Sequence, residues 1–231
     1  MSDANEPLLR EEGFAFCGAI TASLSHEITN VFATINELSG LLDDFFHASE
    51  QGHPLDVKRL MSTTQRIASQ VERGQRYVKR LNRFAHTVDG RESAVPVNEH
   101  VEAMAVMCRR FGTLRRVELQ TSLPDASPTI AGCPFDLQHI VFRCIDVVLA
   151  ASHEGDVLRI AVETEKGDAR LVFSNDSALE SVEKLKPRLD FLSVLLTSHH
   201  CTVESTLEAG QPVRLSVSLP RSLSGEGDHH G

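Results

Sequence analysis

Tryptophan is absent from the 231-residue chain, and Tyr77 is its only tyrosine. Proteins that bind single-stranded nucleic acid stack the bases on aromatic side chains, so the sequence offers little for such a site. Positive charge is also scarce, because the formal net charge is −9. A basic surface is what attracts nucleic acid and anionic membranes. We therefore predict that neither is a partner.

Long apolar runs are lacking as well. No uncharged stretch approaches the roughly 20 residues that a transmembrane helix needs. The first ten residues include Asp3, Glu6 and Arg10, which is unlike the basic and then apolar layout of a signal peptide. The five cysteines are scattered and include no Cys-x-x-Cys pair, a pattern that favours reduced thiols over disulfides or a metal site. The sequence thus predicts a cytoplasmic protein.

Adjacent histidines are the remaining candidates for metal ligands. They form two pairs, His199–His200 and His229–His230. One adjacent pair supplies too few ligands for a tetrahedral zinc ion, and the second pair lies in a polar, Gly-rich tail. We predict that the chain has no metal site.

A heptad pattern of apolar residues organises the first third of the chain. Between Phe14 and Glu50 these residues recur at alternating spacings of four and three, which predicts a long helix with one apolar seam. Gln51–Pro54 breaks this helix, and Pro54 suits the first position of a second one. The two helices are expected to form a hairpin. The seams comprise Cys17, Leu24, Ile28, Val31, Ile35, Leu38, Leu42 and Phe45, and then Val57, Leu60, Ile67, Val71, Val78, Leu81, Ala85 and Val88.

Two helices alone leave part of each apolar seam uncovered. Pairing two hairpins into a four-helix bundle solves this, and each well-buried seam residue adds about 1.5–3 kcal/mol. We therefore predict a homodimer, with Thr64 and Gly74 as weak points of the second seam. The second helix is also basic, which indicates either a solvated surface or a site for an acidic partner. The residues that make it basic include Arg59, Arg66, Arg73, Arg76, Lys79, Arg80 and Arg83.

Ser25–Asn30 places three polar groups on one side of the first helix. If the seam occupies positions a and d, His26 falls at f, farthest from the seam, and Glu27 falls at g. Asn30 lies one turn beyond His26, so that imidazole, carboxylate and amide share a solvent-facing patch. An exposed His beside a Glu is commonly part of a solvated helix face, and spacing alone leaves that interpretation open.

The order Ser-His-Glu-Ile-x-Asn before a hydrophobic heptad run resembles the H-box of bacterial sensor histidine kinases, in which the His accepts a phosphoryl group. The resemblance implies that His26 is the phosphoacceptor and that Glu27 orients or polarises its imidazole. It also implies that Asn30 contacts a phosphoryl oxygen or a water. Receiver domains dock on groups around such a His, so the expected partner-binding residues are Ala22, Thr29, Phe32 and Ala33. Contact with the second domain is an alternative explanation for Phe32.

The periodicity changes after Asp89–Ser93, where helical and strand patterns begin to mix. The predicted elements are helices from Asn98 and over 135–152 and 181–199, and strands over 117–123, 129–131, 157–164, 169–174, 201–206 and 213–219. This order indicates an open sheet with helices on one side, and it resembles the GHKL-type ATP-binding sandwich of histidine kinases. The predicted fold class is α+β: a flexible N-terminus (1–12), a helical hairpin (13–92), a degenerate ATPase-like domain (93–221) and a disordered tail (222–231).

The nucleotide-binding parts of that family depart from their pattern here. Where the family reads Asn-Leu-x-x-Asn-Ala, this chain has Arg143–Val148, and the magnesium-holding Asn is replaced by Val147, which offers no oxygen. The segment 175–179 stands in place of Asp-x-Gly-x-Gly but has no glycine, and 180–188 is too short for the glycine-rich lid. These losses predict a domain that binds no ATP and a chain without a cofactor, with Mg²⁺ supplied by a receiver partner.

The resemblance and its gaps together predict a histidine phosphotransferase of a two-component phosphorelay. The expected partners are response-regulator receiver domains and a hybrid histidine kinase. Only about 13 residues precede the hairpin, which favours a relay component over a receptor. Two alternatives stay open: a non-catalytic dimeric adaptor with a pseudokinase fold, and an ATP-dependent histidine kinase with an aberrant nucleotide pocket.

Overall fold

The structure is a computed structural model that describes residues 5–89, 93–165 and 168–223. Two long helices come first, followed by a mixture of strands and helices, which confirms the predicted α+β fold class. The helices are α1 (Glu6–Glu50), α2 (Val57–Ala85), α3 (Val97–Arg115), α4 (Pro134–Ala151) and α5 (Lys186–Ser198). The strands are β1 (Ser93–Pro96), β2 (Glu118–Ser122), β3 (Thr129–Gly132), β4 (Val157–Glu165), β5 (Asp168–Ala178), β6 (Thr202–Thr206) and β7 (Pro212–Ser218).

The chain divides into two compact units, and α1 contributes to both. The hairpin unit comprises Thr21–Ala85, and the α/β unit comprises the described residues up to Ile20 together with those from His86 onward. This differs from the predicted flexible segment over residues 1–12, because α1 already begins at Glu6. Its first turns are held in the α/β unit, where Phe16 and Ile20 are fully buried.

The hairpin unit follows the predicted heptad seam in α1. The expected d positions Leu24, Val31 and Leu38 are buried. The second helix departs from the prediction at its start: α2 begins at Val57 and not at Pro54. The reason is an N-cap, since Asp56 Oδ1 accepts a hydrogen bond from the Arg59 backbone N–H at 3.1 Å, satisfying a donor that a helix start leaves without a partner.

Gly74 and Thr64 behave differently from their predicted role as weak points. A Cβ on Gly74 would lie 3.3 Å from Val31 Cγ1, so the glycine lets α1 and α2 approach closely. Thr64 is exposed, and its hydroxyl donates to the Leu60 carbonyl at 2.9 Å. Its neighbour Thr63 is the buried residue.

The α/β unit is built on a five-stranded sheet in the order β2-β4-β5-β7-β6, with β1 and β3 forming a separate antiparallel pair. Only β2 and β4 run parallel in the large sheet. Alternation along β4 buries Leu158 and Ile160. Arg159, which lies between them, faces outward and pairs with Asp176. The sheet therefore has one covered apolar face and one polar face.

Several predicted segments fall at the limits of the described residues. The predicted boundary over 89–93 includes residues outside the described part of the chain, and so does the segment between the predicted strands 157–164 and 169–174. The tail predicted over 222–231 begins too early, because Leu223 is buried and its N–H donates to the Ala131 carbonyl at 2.9 Å. Among the described helices, none combines the length and apolar character needed to cross a bilayer.

Candidate functional site

His26 lies on the exposed side of α1 within the hairpin unit. Its Nδ1 atom lies 3.1 Å from the side-chain nitrogen of Asn30, one helical turn along. With that amide donating, Nδ1 accepts and the ring proton resides on Nε2. The structure thus brings two of the predicted residues together and gives Asn30 a direct contact with the ring.

Glu27 is directed across the hairpin toward α2. Its Oε2 atom accepts hydrogen bonds from the Tyr77 hydroxyl at 3.0 Å and from Arg73 Nη2 at 3.1 Å. The Tyr77 hydroxyl in turn accepts from Arg73 Nε at 3.3 Å and Nη2 at 3.2 Å. Glu27, Arg73 and Tyr77 therefore form a closed triangle of hydrogen bonds next to His26, which we call the Glu27 clamp.

The hydrogen bond with Tyr77, and then the charge of the Glu27 carboxylate, raise the pKa of Arg73 above its ordinary value. The sequence analysis did not predict Arg73 and Tyr77 as residues of the site. Their spacing of four residues puts both on one face of α2, and Tyr77 is the only tyrosine in the chain. Neither the spacing nor the rarity of tyrosine indicates which residue of α1 Arg73 and Tyr77 contact.

Three of the four predicted partner-binding residues share a stripe with His26. Ala22, Thr29 and Ala33 are exposed and stand four, three and seven residues from it, which places them on the same helix face. Phe32 is on another face. It is 62% exposed and lines an apolar hollow of about 560 Å³ between the two helices, together with Ile28, Val31, Ile35, Val71, Gly74, Gln75, Val78 and Lys79.

In the α/β unit, two positions of α4 that the sequence pattern aligned with asparagines of the kinase family have contacts inside the unit. Val147 is buried. Arg143 forms an ion pair with the Glu12 carboxylate and donates to the Glu12 carbonyl at 3.2 Å. Its guanidinium carbon also lies 4.9 Å from the Phe191 ring centroid, a cation–π contact.

The segment expected as a degenerate nucleotide loop is part of a strand. β5 continues through Ala178, which pairs with Pro212 of β7. Asn175 is buried, donates to Ser152 Oγ at 3.0 Å and accepts from the Val213 N–H at 3.1 Å. Asn175 thus links β5 to neighbouring segments of the same unit.

His139 is a second, buried imidazole in this unit. It is 3% exposed, and Arg143 Nε donates to its Nε2 atom at 3.3 Å, which requires a neutral ring. Burial, and then the charges of Arg143 and His199, lower the pKa of His139 to about 3. Burial also favours the neutral form of Asp136, and so raises the pKa of its carboxyl group.

The cysteines show no sign of activation. Burial raises the pKa of each thiol, to about 12 for Cys201 and above the ordinary value for Cys17, Cys108, Cys133 and Cys144. A reactive thiol needs the opposite shift. Within residues 5–89, 93–165 and 168–223, no three His, Cys, Asp or Glu side chains gather in a way that would hold a metal ion.

Among solved structures, several histidine kinases are similar to this chain. No protein-family model matches the sequence, and no curated protein matches it either. The histidine kinase AdeS of Acinetobacter baumannii is 14% identical; the match covers 83% of this chain and 97% of that one, with a TM-score of 0.47. A histidine kinase from Burkholderia phymatum is 13% identical over 86% of this chain and 98% of that one, with a TM-score of 0.48.

The catalytic domain of the histidine kinase ThkA is 12% identical over 57% of this chain and 97% of that one, with a TM-score of 0.48. At these identities the comparisons describe a likeness in structure and assign no activity to the chain.

Proposed function

We propose that the chain is a histidine phosphotransferase of a two-component phosphorelay, which passes a phosphoryl group between receiver-domain aspartates through His26 without using ATP. The observation that carries the proposal is the exposed imidazole of His26 in an H-box-like segment, hydrogen-bonded to Asn30. An accessible imidazole with a lone pair is the group that such chemistry requires.

The transfer step exchanges one bond to phosphorus for another. A ring nitrogen of neutral His26 attacks the aspartyl phosphate of a receiver; an N–P bond forms, and the aspartate leaves with the electron pair of the broken P–O bond. The proton on the other ring nitrogen stays with the phosphorylated ring. The carboxylate of a second receiver then attacks phosphorus and restores the neutral imidazole. The acidic pocket of the receiver supplies the Mg²⁺ that neutralises the phosphoryl oxygens.

In this proposal Asn30 orients the His26 imidazole, a role that the sequence analysis assigned to Glu27. Its amide lies 3.1 Å from Nδ1 and holds the ring in one orientation. With the amide rotated by half a turn, Oδ1 accepts from an Nδ1–H group and the lone pair of the ring is on Nε2. This is the tautomer that attacks phosphorus, because the other tautomer carries its proton on Nε2 and uses the Nδ1 lone pair for the hydrogen bond.

Independence from ATP is supported by the interior of the α/β unit. The Arg143 guanidinium is engaged with Glu12 and Phe191. Val147 offers no ligand to Mg²⁺, and β5 extends through Ala178, which pairs with Pro212. A phosphoryl donor other than ATP is therefore required, and a hybrid histidine kinase with a receiver domain fits that need.

A homodimer is supported by the uncovered part of the hairpin seam. Val71 and Val78 lie on the predicted seam but are 44% and 46% exposed, and both line the apolar hollow. A second hairpin would bury them in a four-helix bundle. We propose that this dimer acts in the cytoplasm, where response regulators and their kinases exchange phosphoryl groups.

Label transfer from a phosphorylated receiver tests the proposed function. Receivers carrying ³²P on aspartate are mixed with the wild type and with the His26→Ala variant. We expect rapid, acid-labile labelling of the wild type and passage of the label to a second receiver, with no labelling of the variant. Equal behaviour of the two proteins would favour the adaptor. Labelling by ATP and Mg²⁺ alone would favour the kinase with an aberrant pocket.

A further inference from the structure

The Glu27 clamp joins α1 to α2 beside the residue that is proposed to carry the phosphoryl group. Glu27 directly follows His26 in the chain, and its half-buried carboxylate reaches Arg73 and Tyr77, 46 and 50 residues away. These hydrogen bonds lie within the hairpin unit. Outside the clamp, ion pairs of α2 connect near neighbours: Arg76 with Glu72 at 4.0 Å and Arg59 with Asp56 at 3.6 Å.

Tyr77 is the central member of the clamp. Its hydroxyl donates to Glu27 and accepts from Arg73, so both hydrogen-bonding capacities of the phenol are used. The guanidinium carbons of Arg73 and Arg80 lie 5.6 and 5.9 Å from its ring centroid, within the range of cation–π attraction. Hydrogen bonds and two nearby cations therefore hold the phenol, which in turn holds the carboxylate in one place.

We propose that Tyr77 and Arg73 are positioning residues for His26, acting through Glu27. By holding the Glu27 carboxylate against α2, they fix the helical turn that presents the imidazole and keep that carboxylate from swinging toward the incoming phosphoryl group, where its negative charge would repel the phosphoryl oxygens. The inference rests on the proposed transfer through His26. It adds two residues of α2 to a site that the sequence placed on α1 alone.

The clamp makes a specific prediction about rates. Positioning contributes to the chemical step when the reacting groups are held near their reactive geometry. Removing the Tyr77 hydroxyl deletes three hydrogen bonds, one to Glu27 and two from Arg73, and leaves the ring in place. We expect Tyr77→Phe to slow phosphorylation of His26 by about three- to tenfold, the equivalent of one ordinary hydrogen bond, with little change in the affinity for a receiver.

Two phosphoryl donors test the inference: a phosphorylated receiver, and phosphoramidate as a small donor that needs no docking surface. We expect Tyr77→Phe to lower both the rate with phosphoramidate and the kcat with the receiver, while KM for the receiver stays within about twofold. Arg73→Gln should behave like Tyr77→Phe, and Arg73→Lys should recover part of the rate because a donor to Glu27 remains. The matched control is Arg76→Gln, which removes an exposed cation one turn away and should leave both rates unchanged.

The outcomes separate this inference from the proposed function. Wild-type rates in Tyr77→Phe and Arg73→Gln with both donors would overturn the positioning role and leave the transferase intact. A raised KM with an unchanged phosphoramidate rate would also overturn it, since Tyr77 would then contact the receiver. If receivers fail to label the wild type while phosphoramidate labels His26 and the variants slow that reaction, the positioning role stands and the phosphorelay function is wrong.

Discussion

Phe16 and His139 stack within the α/β unit, with ring centroids 4.9 Å apart and ring planes 5° from parallel. Phe16 belongs to the first turns of α1, and His139 belongs to α4. The same turns of α1 provide Glu12 to Arg143. Side chains of α1 therefore cover one face of α4.

Acid should destabilise the protein through His139. Its pKa is lowered on folding to about 3, whereas an imidazole in the unfolded chain titrates near 6.5. The unfolded state thus binds the extra proton first, so this contribution to stability is complete above about pH 6.5 and is lost as the pH falls toward 3. The slope is at most about 1.4 kcal/mol per pH unit.

Urea unfolding at fixed pH values between 4 and 8 measures this dependence. His139→Gln keeps an acceptor for Arg143 and should flatten the slope, while His47→Gln, on the exposed surface of α1, should leave it unchanged. A variant at position 139 with the wild-type slope would show that other groups cause the acid sensitivity.

Asn30→Ala should slow phosphorylation of His26. The variant removes the side chain 3.1 Å from Nδ1 and frees the ring to rotate, which costs about one hydrogen bond, or roughly a two- to tenfold loss of rate. Transfer of ³²P from a labelled receiver measures the rate. Asn36→Ala, another exposed asparagine of α1, is the control and should react as the wild type does. Equal rates in all three proteins would remove Asn30 from the site.

Val71→Glu and Val78→Glu should convert a dimer into monomers. Each places a charge in the apolar hollow, where a second hairpin would have to desolvate it. Sedimentation at micromolar concentration checks the mass. Val203→Glu is a matched control, because Val203 of β6 has a similar exposed fraction of 44% but lies in the α/β unit. A wild type that sediments as a monomer would contradict the proposed four-helix bundle.

Gly112→Ala should destabilise the α/β unit despite the higher helix propensity of alanine. A Cβ at this position of α3 would lie 2.6 Å from the Val117 carbonyl oxygen and would also meet Leu119. Overpacking of this kind costs about 1–3 kcal/mol, more than the gain of about 1 kcal/mol from propensity. Gly40→Ala is the control; its Cβ meets nothing within 4 Å, so thermal unfolding should show equal or greater stability.

Asn175→Ala should cost about 1–3 kcal/mol of unfolding free energy, because the buried Val213 N–H loses its acceptor. Its neighbour Asp176 forms an exposed pair with Arg159, and Asp176→Ala should change stability by less than about 1 kcal/mol. Urea denaturation compares the two variants. Equal losses of unfolding free energy would show that the hydrogen bonds of Asn175 stabilise the unit no more than the exposed Asp176 pair does.

Periodicity in the sequence predicted the helices and strands well where local pattern decides the structure. The seam residues Leu24, Val31 and Leu38 are buried as the heptad requires, and α4 begins at Pro134 as expected. The start of α2 was misplaced because Pro54 and Asp56 both suit a helix N-terminus, and the side-chain cap decided between them. Residues 175–178 were expected in a loop because a family pattern, and not strand periodicity, guided that prediction.

The sequence by itself determined the α+β class, the amphipathic hairpin and the outward side of α1 that carries His26, since these follow from the spacing of apolar residues along one element. Only the tertiary structure decided which groups meet across elements. Glu27 turned out to face Arg73 and Tyr77, and Arg143 to face Glu12. Such pairings depend on the register and distance between segments far apart in the chain, which a local period does not encode.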